Sequence, residues 1–389
     1  MSDSVKIFTN INCKSLEHLA RHTFAISWKD YLSRSGENAQ LVAADIFQTD
    51  DHKLVAAPKV IFRDRYFKLL ACGVIHRNIK DIYMSSRGLD QLKDGLRPMI
   101  DGYRRMIRFE KPNVVLINCT YHIPWCLFVA AKEEGIKKIV IHYHGILKKE
   151  AEYFENEVRR VLLEMERDFH CGGDMVIFPS LFAKRVVEKE VVNRELKKWV
   201  VVPNPIPDYF FNCSQKKKGL GKNIGAVSRW SSIKNLEFLE KLAMCVVENK
   251  KGYRINLVSR PICSDDGLYL RMKDNVNFID FLSNRDLAKF YSRMDLVVCP
   301  SHFETYGNVA QEALASGTPA LVGSNMGISD FYRELGLDGW VVDFNDFDSA
   351  VAKIERASFE VVDNALRNEL RSRLKTEKIF SRLFDLVTD

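Results

Sequence analysis

Two glutamates, Glu304 and Glu312, stand eight positions apart in SHFETYGNVAQEALASGTPALVG, residues 301–323. Paired carboxylates first suggest a general acid and a general base, but the surrounding pattern places them differently. MDLVVCPS reads as a buried strand ending at Pro300 and Ser301, HFETYG as the loop at its carboxyl end, and NVAQEALAS as a helix stopped by Gly317 and Pro319. Glu304 then lies at the strand end. Glu312 lies on the helix, one turn after Asn308 and on the same face. The backbone N–H groups of Tyr306, Gly307 and Asn308 fall where the helix dipole is positive, which makes a ready anion site. The plainer alternative makes Glu304 a first-turn carboxylate favoured by the dipole and Glu312 an exposed helix residue.

Cations occur where such an anion needs them. NIGAVSRWSSIKNLEFLEKL puts Arg229 at the end of a strand and Lys234 five residues on, just before a helix. Arg can grip a diphosphate bidentately and Lys can meet it as a point charge. In the first half, IHYHG puts His142 and His144 on one strand pattern, where either also reads as a satisfied strand-end residue. Asp346 to Asp348, DFD, has the Asp-x-Asp form of a metal site. It follows the strand GWVVDF and precedes SAVAKIERA, so Asp346 reads as a helix cap and Asp348 as a first-turn carboxylate. GLGK lacks the strand, the spacing and the Ser/Thr of a phosphate loop.

These residues sit in a repeating frame. Short Val/Ile-rich runs, VKIFTNI, AQLVAAD, NVVLINC, KKIVIHYH, DMVIFPS and KWVVVPN, alternate with amphipathic stretches such as LEHLARHTFAISWKDYLSRSG. After PNPIPDYFFNCSQKKKGLGK, which reads as a linker, the alternation restarts with NIGAVSR, YRINLVS, VNFID, MDLVVCPS, TPALVGS and GWVVDF. Near-continuous apolar strands separated by helices predict parallel sheets covered on both faces. The expected fold is α/β: two Rossmann-like doubly wound domains facing a cleft, 1–205 and 218–374, with the last helix, 375–389, crossing back to the first. Ligands bind at the carboxyl ends of such strands.

The chain has 389 residues, enough for two cores, with 46% hydrophobic and 28% charged residues. Its nine cysteines form no CxxC pair and read as reduced, buried thiols. MSDSVKIFTNI lacks the basic region and apolar core of a signal peptide, and no apolar run reaches the ~20 residues that span a bilayer; the expected location is cytoplasmic, peripheral at the inner face of the membrane. Residues 57–111 hold 13 Lys/Arg against six Asp/Glu, an excess equal to the whole formal charge of +7. FRDRYFKLLACGVIHRNIK and GYRRMIRFEK mix these bases with aromatic and aliphatic residues at roughly helical spacing. They suit an anionic membrane surface or a polyanionic acceptor, or else form a solvated basic face.

Taken together, VVPNPIP, VSRWSSIKN, VNFIDFLSNRDLAKFYSRMDLVVCPSHFETYGNVAQEALASGTPALVG, IHYHG and DMVIFPSLFAKRVV resemble the retaining nucleotide-sugar glycosyltransferases of GT-B architecture with an E-x7-E motif, the family four or group one type. The resemblance covers about 200–345 well and the first domain more loosely. It implies a hexosyltransferase of polysaccharide biosynthesis that moves a sugar from a UDP- or GDP-linked donor to a glycan or lipid-linked glycan, without a metal or other cofactor. Arg229 and Lys234 would neutralise the donor diphosphate, Glu312 hold the ribose hydroxyls, and Glu304 bind the transferred sugar. The amides of Tyr306, Gly307 and Asn308 would contact sugar and phosphate, and His144, with His142 as the other choice, would lie near the reacting carbon. Two departures stand out. FTNINCKSLEHLA has no glycine where the family has a glycine-rich turn, so Asn10, Asn12 and Lys14 would stand in. The usual Gly-x-Gly reads NLVSRPIC, and the usual glycine after VNFI is Asp280. Two alternatives remain open: a glycosyltransferase acting on modified DNA bases, and an inactive nucleotide-sugar-binding protein, since fold alone does not fix function.

Overall fold

The computed structural model describes residues 4–11, 23–49, 57–75, 78–153, 160–196, 198–213, 221–248, 252–261 and 263–389. The chain divides into two compact units. The first comprises Met1–Pro179, Lys184–Val202 and Ile379–Asp389, and the second Ser180–Ala183 and Pro203–Lys378.

In the first unit, β1 (Val5–Asn10), β2 (Ala39–Gln48), β3 (Lys59–Arg63), β4 (Phe67–Val74), β5 (Val114–Asn118), β6 (Ile139–His142), β7 (Met175–Phe178) and β8 (Trp199–Val201) form one sheet. The order is β3-β4-β2-β1-β5-β6-β7-β8. Every pair is parallel except β3 with β4. Leu41 to Ala44, Val115 to Ile117 and Val140 to Ile141 are fully buried, as strands covered by helices on both faces require. The order reverses between β1 and β5, and Asn10 locks that point: its Nδ2 donates to the Asn118 carbonyl and its Oδ1 accepts from the Asn118 N–H, both at 2.9 Å. Asn10 therefore spends its side chain on the sheet. Asn12 and Lys14 lie outside the described residues.

The basic region differs from expectation in two ways. Residues 59–74 do not continue a helical pattern but form an antiparallel hairpin. Asp64 Oδ1 accepts from the N–H groups of Tyr66 and Phe67 at 2.9 and 2.7 Å, a local turn that reverses the chain. GYRRMIRFE does lie in a helix, Arg97–Glu110, yet its cations meet acids from another segment. Arg97 pairs with Glu133 at 2.9 Å, Arg104 and Arg108 each pair with Glu134 at 2.7 Å, and Lys93 pairs with Glu133 at 2.7 Å. Glu133 ends the helix His122–Glu133 and Glu134 caps it, so an excess that is local in sequence is shared in space.

In the second unit, β9 (Asn223–Val227), β10 (Arg254–Val258), β11 (Val276–Ile279), β12 (Leu296–Cys299), β13 (Ala320–Gly323) and β14 (Val341–Val342) form a parallel sheet ordered β11-β10-β9-β12-β13-β14. Its reversal lies between β9 and β12. Asp346 caps the helix Phe347–Ala357, accepting from the Ser349 N–H at 3.1 Å, with Asp348 in the first turn. Residues 203–213 are more than a tether: Ile206 and Phe210 are buried, and Ile206 bridges to Lys375.

The last helix, Thr376–Thr388, buries Ile379, Phe380, Leu383, Phe384 and Val387, the stripe of an amphipathic helix. Phe380 meets Trp28 edge-on with ring centroids 5.3 Å apart, inside the first unit. The thiols are less buried than expected. Among the described cysteines none is disulfide-bonded; Cys72, Cys126 and Cys299 are buried, while Cys263 is exposed. No described helix is long and apolar enough to cross a membrane.

Arg367 ties three segments of the second unit. Its guanidinium donates to the carbonyls of Ala315, at the end of the helix Asn308–Ala315, and of Phe211 and Cys213, at 3.0, 2.7 and 3.1 Å. Arg367→Ala leaves these carbonyls without that donor, and urea denaturation should show a loss of about 2 kcal/mol.

Candidate functional site

The loops after β9 and β12 emerge side by side. After β9 come Arg229 and the short 3-10 turn Ser232–Lys234, closed by Asn235 in the left-handed region with φ 53°. Asn235 Nδ2 donates to the Pro300 carbonyl at 3.1 Å, and the His302 N–H donates to the Ile233 carbonyl at 2.9 Å. The two loops are thereby laced together. Lys234 Nζ reaches Glu304 Oε1 at 2.9 Å, and the Ser301 hydroxyl donates to the same oxygen at 2.8 Å. Their side chains are 18% and 19% exposed, within reach of a ligand. The Arg229 side chain is exposed and has no partner among the described residues.

Beyond Glu304 the backbone runs beside residues 325–327: the Glu304 N–H donates to Asn325 and the Gly327 N–H returns to the Glu304 carbonyl, at 3.3 and 3.0 Å. Gly307 then turns the chain with φ 137°, and a Cβ there would lie 2.7 Å from Ile328 Cγ2. Only glycine combines that backbone with that space. The helix Asn308–Ala315 follows. Among the described residues the N–H groups of Tyr306, Gly307 and Asn308 have no acceptor, as expected of a helix start. Tyr306 offers its backbone alone, since its side chain is buried. Asn308 is exposed, and its Oδ1 accepts from Asn204 Nδ2 at 2.8 Å.

Glu312 is half-buried and not a free surface carboxylate. Tyr291, fully buried on the helix Asn284–Arg293, donates from Oη to Glu312 Oε2 at 3.1 Å. Burial pushes the Glu312 carboxyl up to about 7 against the opposing effect of that hydrogen bond. Tyr291 had no signal in the sequence, being one apolar position of an amphipathic helix.

His142 and His144 belong to the first unit. His142 ends β6 and is buried, and burial followed by its neighbour His144 holds it well below the ordinary histidine range. The two rings lie 4.2 Å apart. His144 is half-buried and so the more accessible of the two. The helix Arg160–Gly172 sets their loop: His170 Nε2 and Tyr143 Oη are hydrogen-bonded at 2.6 Å, and the Glu166 carboxylate accepts from the N–H groups of Leu147 and Lys148 at 2.8 and 2.9 Å. The site residues of the second unit thus converge on one strand-end surface.

Comparison with known proteins follows the same division. Residues 268–376 match the family described as glycosyl transferases group 1, and residues 62–208 match glycosyltransferase family 4. The chain is 30% identical over 167 residues to the capsular polysaccharide biosynthesis glycosyltransferase CapM of Staphylococcus aureus, covering 41% of this chain and 42% of that protein. It is 29% identical over 153 residues to a GDP-mannose-dependent alpha-mannosyltransferase of Corynebacterium glutamicum, covering 39% of this chain and 34% of that protein. The match thus spans less than half the length of either relative. Among solved structures, sucrose-phosphate synthase of Thermosynechococcus elongatus superposes with a TM-score of 0.72 at 17% identity, covering 98% of both chains. An alpha,alpha-trehalose 6-phosphate synthase of Burkholderia multivorans does so at 0.67 and 16%, covering 98% of this chain and 96% of that one. At these identities the superpositions establish the fold.

The Glu312 carboxyl binds its proton more tightly in the folded protein than in the unfolded chain, because its folded value is raised to about 7 from 4.5. Its ionisation therefore costs stability as pH rises through that window. Glu312→Gln, which cannot ionise, should gain stability relative to wild type between pH 5 and pH 8, by on the order of 1–3 kcal/mol in urea denaturation.

Proposed function

The chain belongs to the group 1 glycosyltransferases and has the GT-B fold, and on that premise we propose that it is a retaining hexosyltransferase. It takes its sugar from a UDP- or GDP-linked donor, passes it to a glycan or lipid-linked glycan acceptor, and needs no metal ion. The observation that carries this reading is the set around Glu304: Lys234 at 2.9 Å, Arg229 on the adjoining loop, and three N–H groups without acceptors among the described residues.

In such a transfer the bond from the anomeric carbon to the diphosphate breaks through an oxocarbenium-like state, and negative charge grows on the leaving phosphate. Arg229, Lys234 and the amides of Tyr306, Gly307 and Asn308 meet that charge without reorganising, each a contribution of a few kcal/mol. They take the part that a divalent cation plays in other transferases. Glu304 accepts from the hydroxyls of the transferred sugar, and Glu312 from the ribose. To His144, in the first unit, this reading assigns a role at the reacting carbon. The acceptor hydroxyl attacks from the face the diphosphate leaves, which takes the proton.

The membrane partner is proposed on narrower ground than the charge count. Lys59, Val60, Ile61 and Arg63 of β3 form an exposed edge, with Val60 and Ile61 at 45% and 43%. A basic and apolar strand edge of this kind suits a surface that presents a lipid-linked acceptor. Cosedimentation with anionic vesicles should therefore fall when Lys59 and Arg63 are changed together to Glu, with vesicles of neutral lipid binding neither protein.

A thermal-shift screen of nucleotide sugars should identify the donor as the compound that stabilises the protein. With that donor, Arg229→Ala and Glu304→Ala should each lower release of nucleoside diphosphate at least ~100-fold, and EDTA should leave the wild-type rate unchanged. Turnover at the wild-type rate by both variants would exclude the mechanism.

A further inference from the structure

The turn that presents the three amides is held by three consecutive carbonyls. The Glu304 carbonyl accepts from the Gly327 N–H at 3.0 Å and the Tyr306 carbonyl from the Ile328 N–H at 2.8 Å. Between them, the Thr305 carbonyl takes its hydrogen bond from a side chain 125 positions away, the hydroxyl of Ser180, at 2.7 Å. Ser180 is 5% exposed. It lies in the segment Ser180–Ala183, which clusters with the second unit although the residues on both sides belong to the first.

The hydroxyl has one proton, and it goes to Thr305. One of its two lone pairs accepts the Ala183 N–H at 3.0 Å, capping the helix Leu181–Val186, so the group both donates and accepts. Gly327 closes over the contact: a Cβ there would come 2.1 Å from the Thr305 carbonyl oxygen and 2.3 Å from Ser180 Oγ.

A peptide unit is planar, with its C=O and N–H pointing in opposite directions. The Thr305 carbonyl and the Tyr306 N–H belong to one such plane, so whatever fixes the first aims the second. We propose that Ser180 is a positioning residue of the donor site: by holding the Thr305 carbonyl it directs the Tyr306 N–H towards the donor diphosphate. The Ile328 N–H does the same for the next plane, which carries the Gly307 N–H. This inference rests on the reading of the site as one for a nucleoside diphosphate.

The test combines a readout without ligand and one with it. In the free protein, Ser180→Ala should speed hydrogen exchange at the Gly327 and Ile328 amides, because the bonds flanking a released Thr305 carbonyl open more often. By calorimetry, the same variant should bind UDP or GDP, whichever wild type binds, about tenfold more weakly, the worth of one well-placed hydrogen bond. Ser180→Thr, which keeps the hydroxyl, should stay within about twofold of wild type. Asp363→Ala removes another cap of the second unit, where Asp363 accepts from the Leu366 N–H at 2.7 Å, and should lower Tm while leaving nucleotide affinity intact. The proposal is overturned if Ser180→Ala exchanges and binds like wild type, or if Asp363→Ala loses as much affinity. Faster exchange in Ser180→Ala, together with no binding of UDP or GDP by wild type, would uphold the brace and sink the nucleotide reading instead.

Discussion

The candidate site depends on the pairing of β9 with β12. These strands adjoin in register, Ile224 with Leu296 and Gly225 with Val297, although β10 and β11 separate them in sequence. At their amino ends the buried Asp295 carboxylate accepts from the N–H groups of Lys222 and Asn223, both at 2.9 Å. Gly225 lets the sheet take its cover, since a Cβ there would lie 2.6 Å from Met294 Cγ. Once the two strands are zipped, the loops at their carboxyl ends must emerge together. This is the reversal point at which open parallel sheets bind ligands.

What those loops carry is an electrostatic balance. A lysine less than one-fifth exposed needs a counter-charge, and Glu304 supplies it. On the proposed function a donor diphosphate would share Lys234 with Glu304, and the helix-start amides would add donors that carry no net charge. Glu312, one turn along, is held by Tyr291 in surroundings dry enough to keep its carboxyl near neutrality. The two glutamates therefore differ in kind: one is an ion-pair partner, the other a half-buried hydrogen-bonding group. Neither is placed as an acid and base pair acting on a common atom.

Much of the fold was legible because it is local. Twelve strands announced themselves as apolar runs, and the helix after Gly307 announced itself by its turn and stop. The β3–β4 hairpin did not, because KVIFRDRYFKLLACGV scatters bases among its apolar residues and its one turn signal, Asp64, is a single side chain reaching two backbone N–H groups. The count of charge along the chain was incomplete in the same way. Counting along the chain could not show that Arg97, Arg104 and Arg108 end on Glu133 and Glu134, because those acids arrive from a different helix.

By itself the sequence determined the alternation of strands and helices, the positions of the cations and carboxylates, and the glycine that starts the helix, since each is set by periodicity or by one residue's backbone freedom. Tertiary structure alone decided which of these groups meet: Lys234 with Glu304, Tyr291 with Glu312, and Ser180 with the carbonyl of Thr305. Those contacts join residues 70, 21 and 125 positions apart. The physical reason is that a hydrogen bond or ion pair forms at about 3 Å in space, and separation along a chain says nothing of that distance until the sheet has brought the strand ends together.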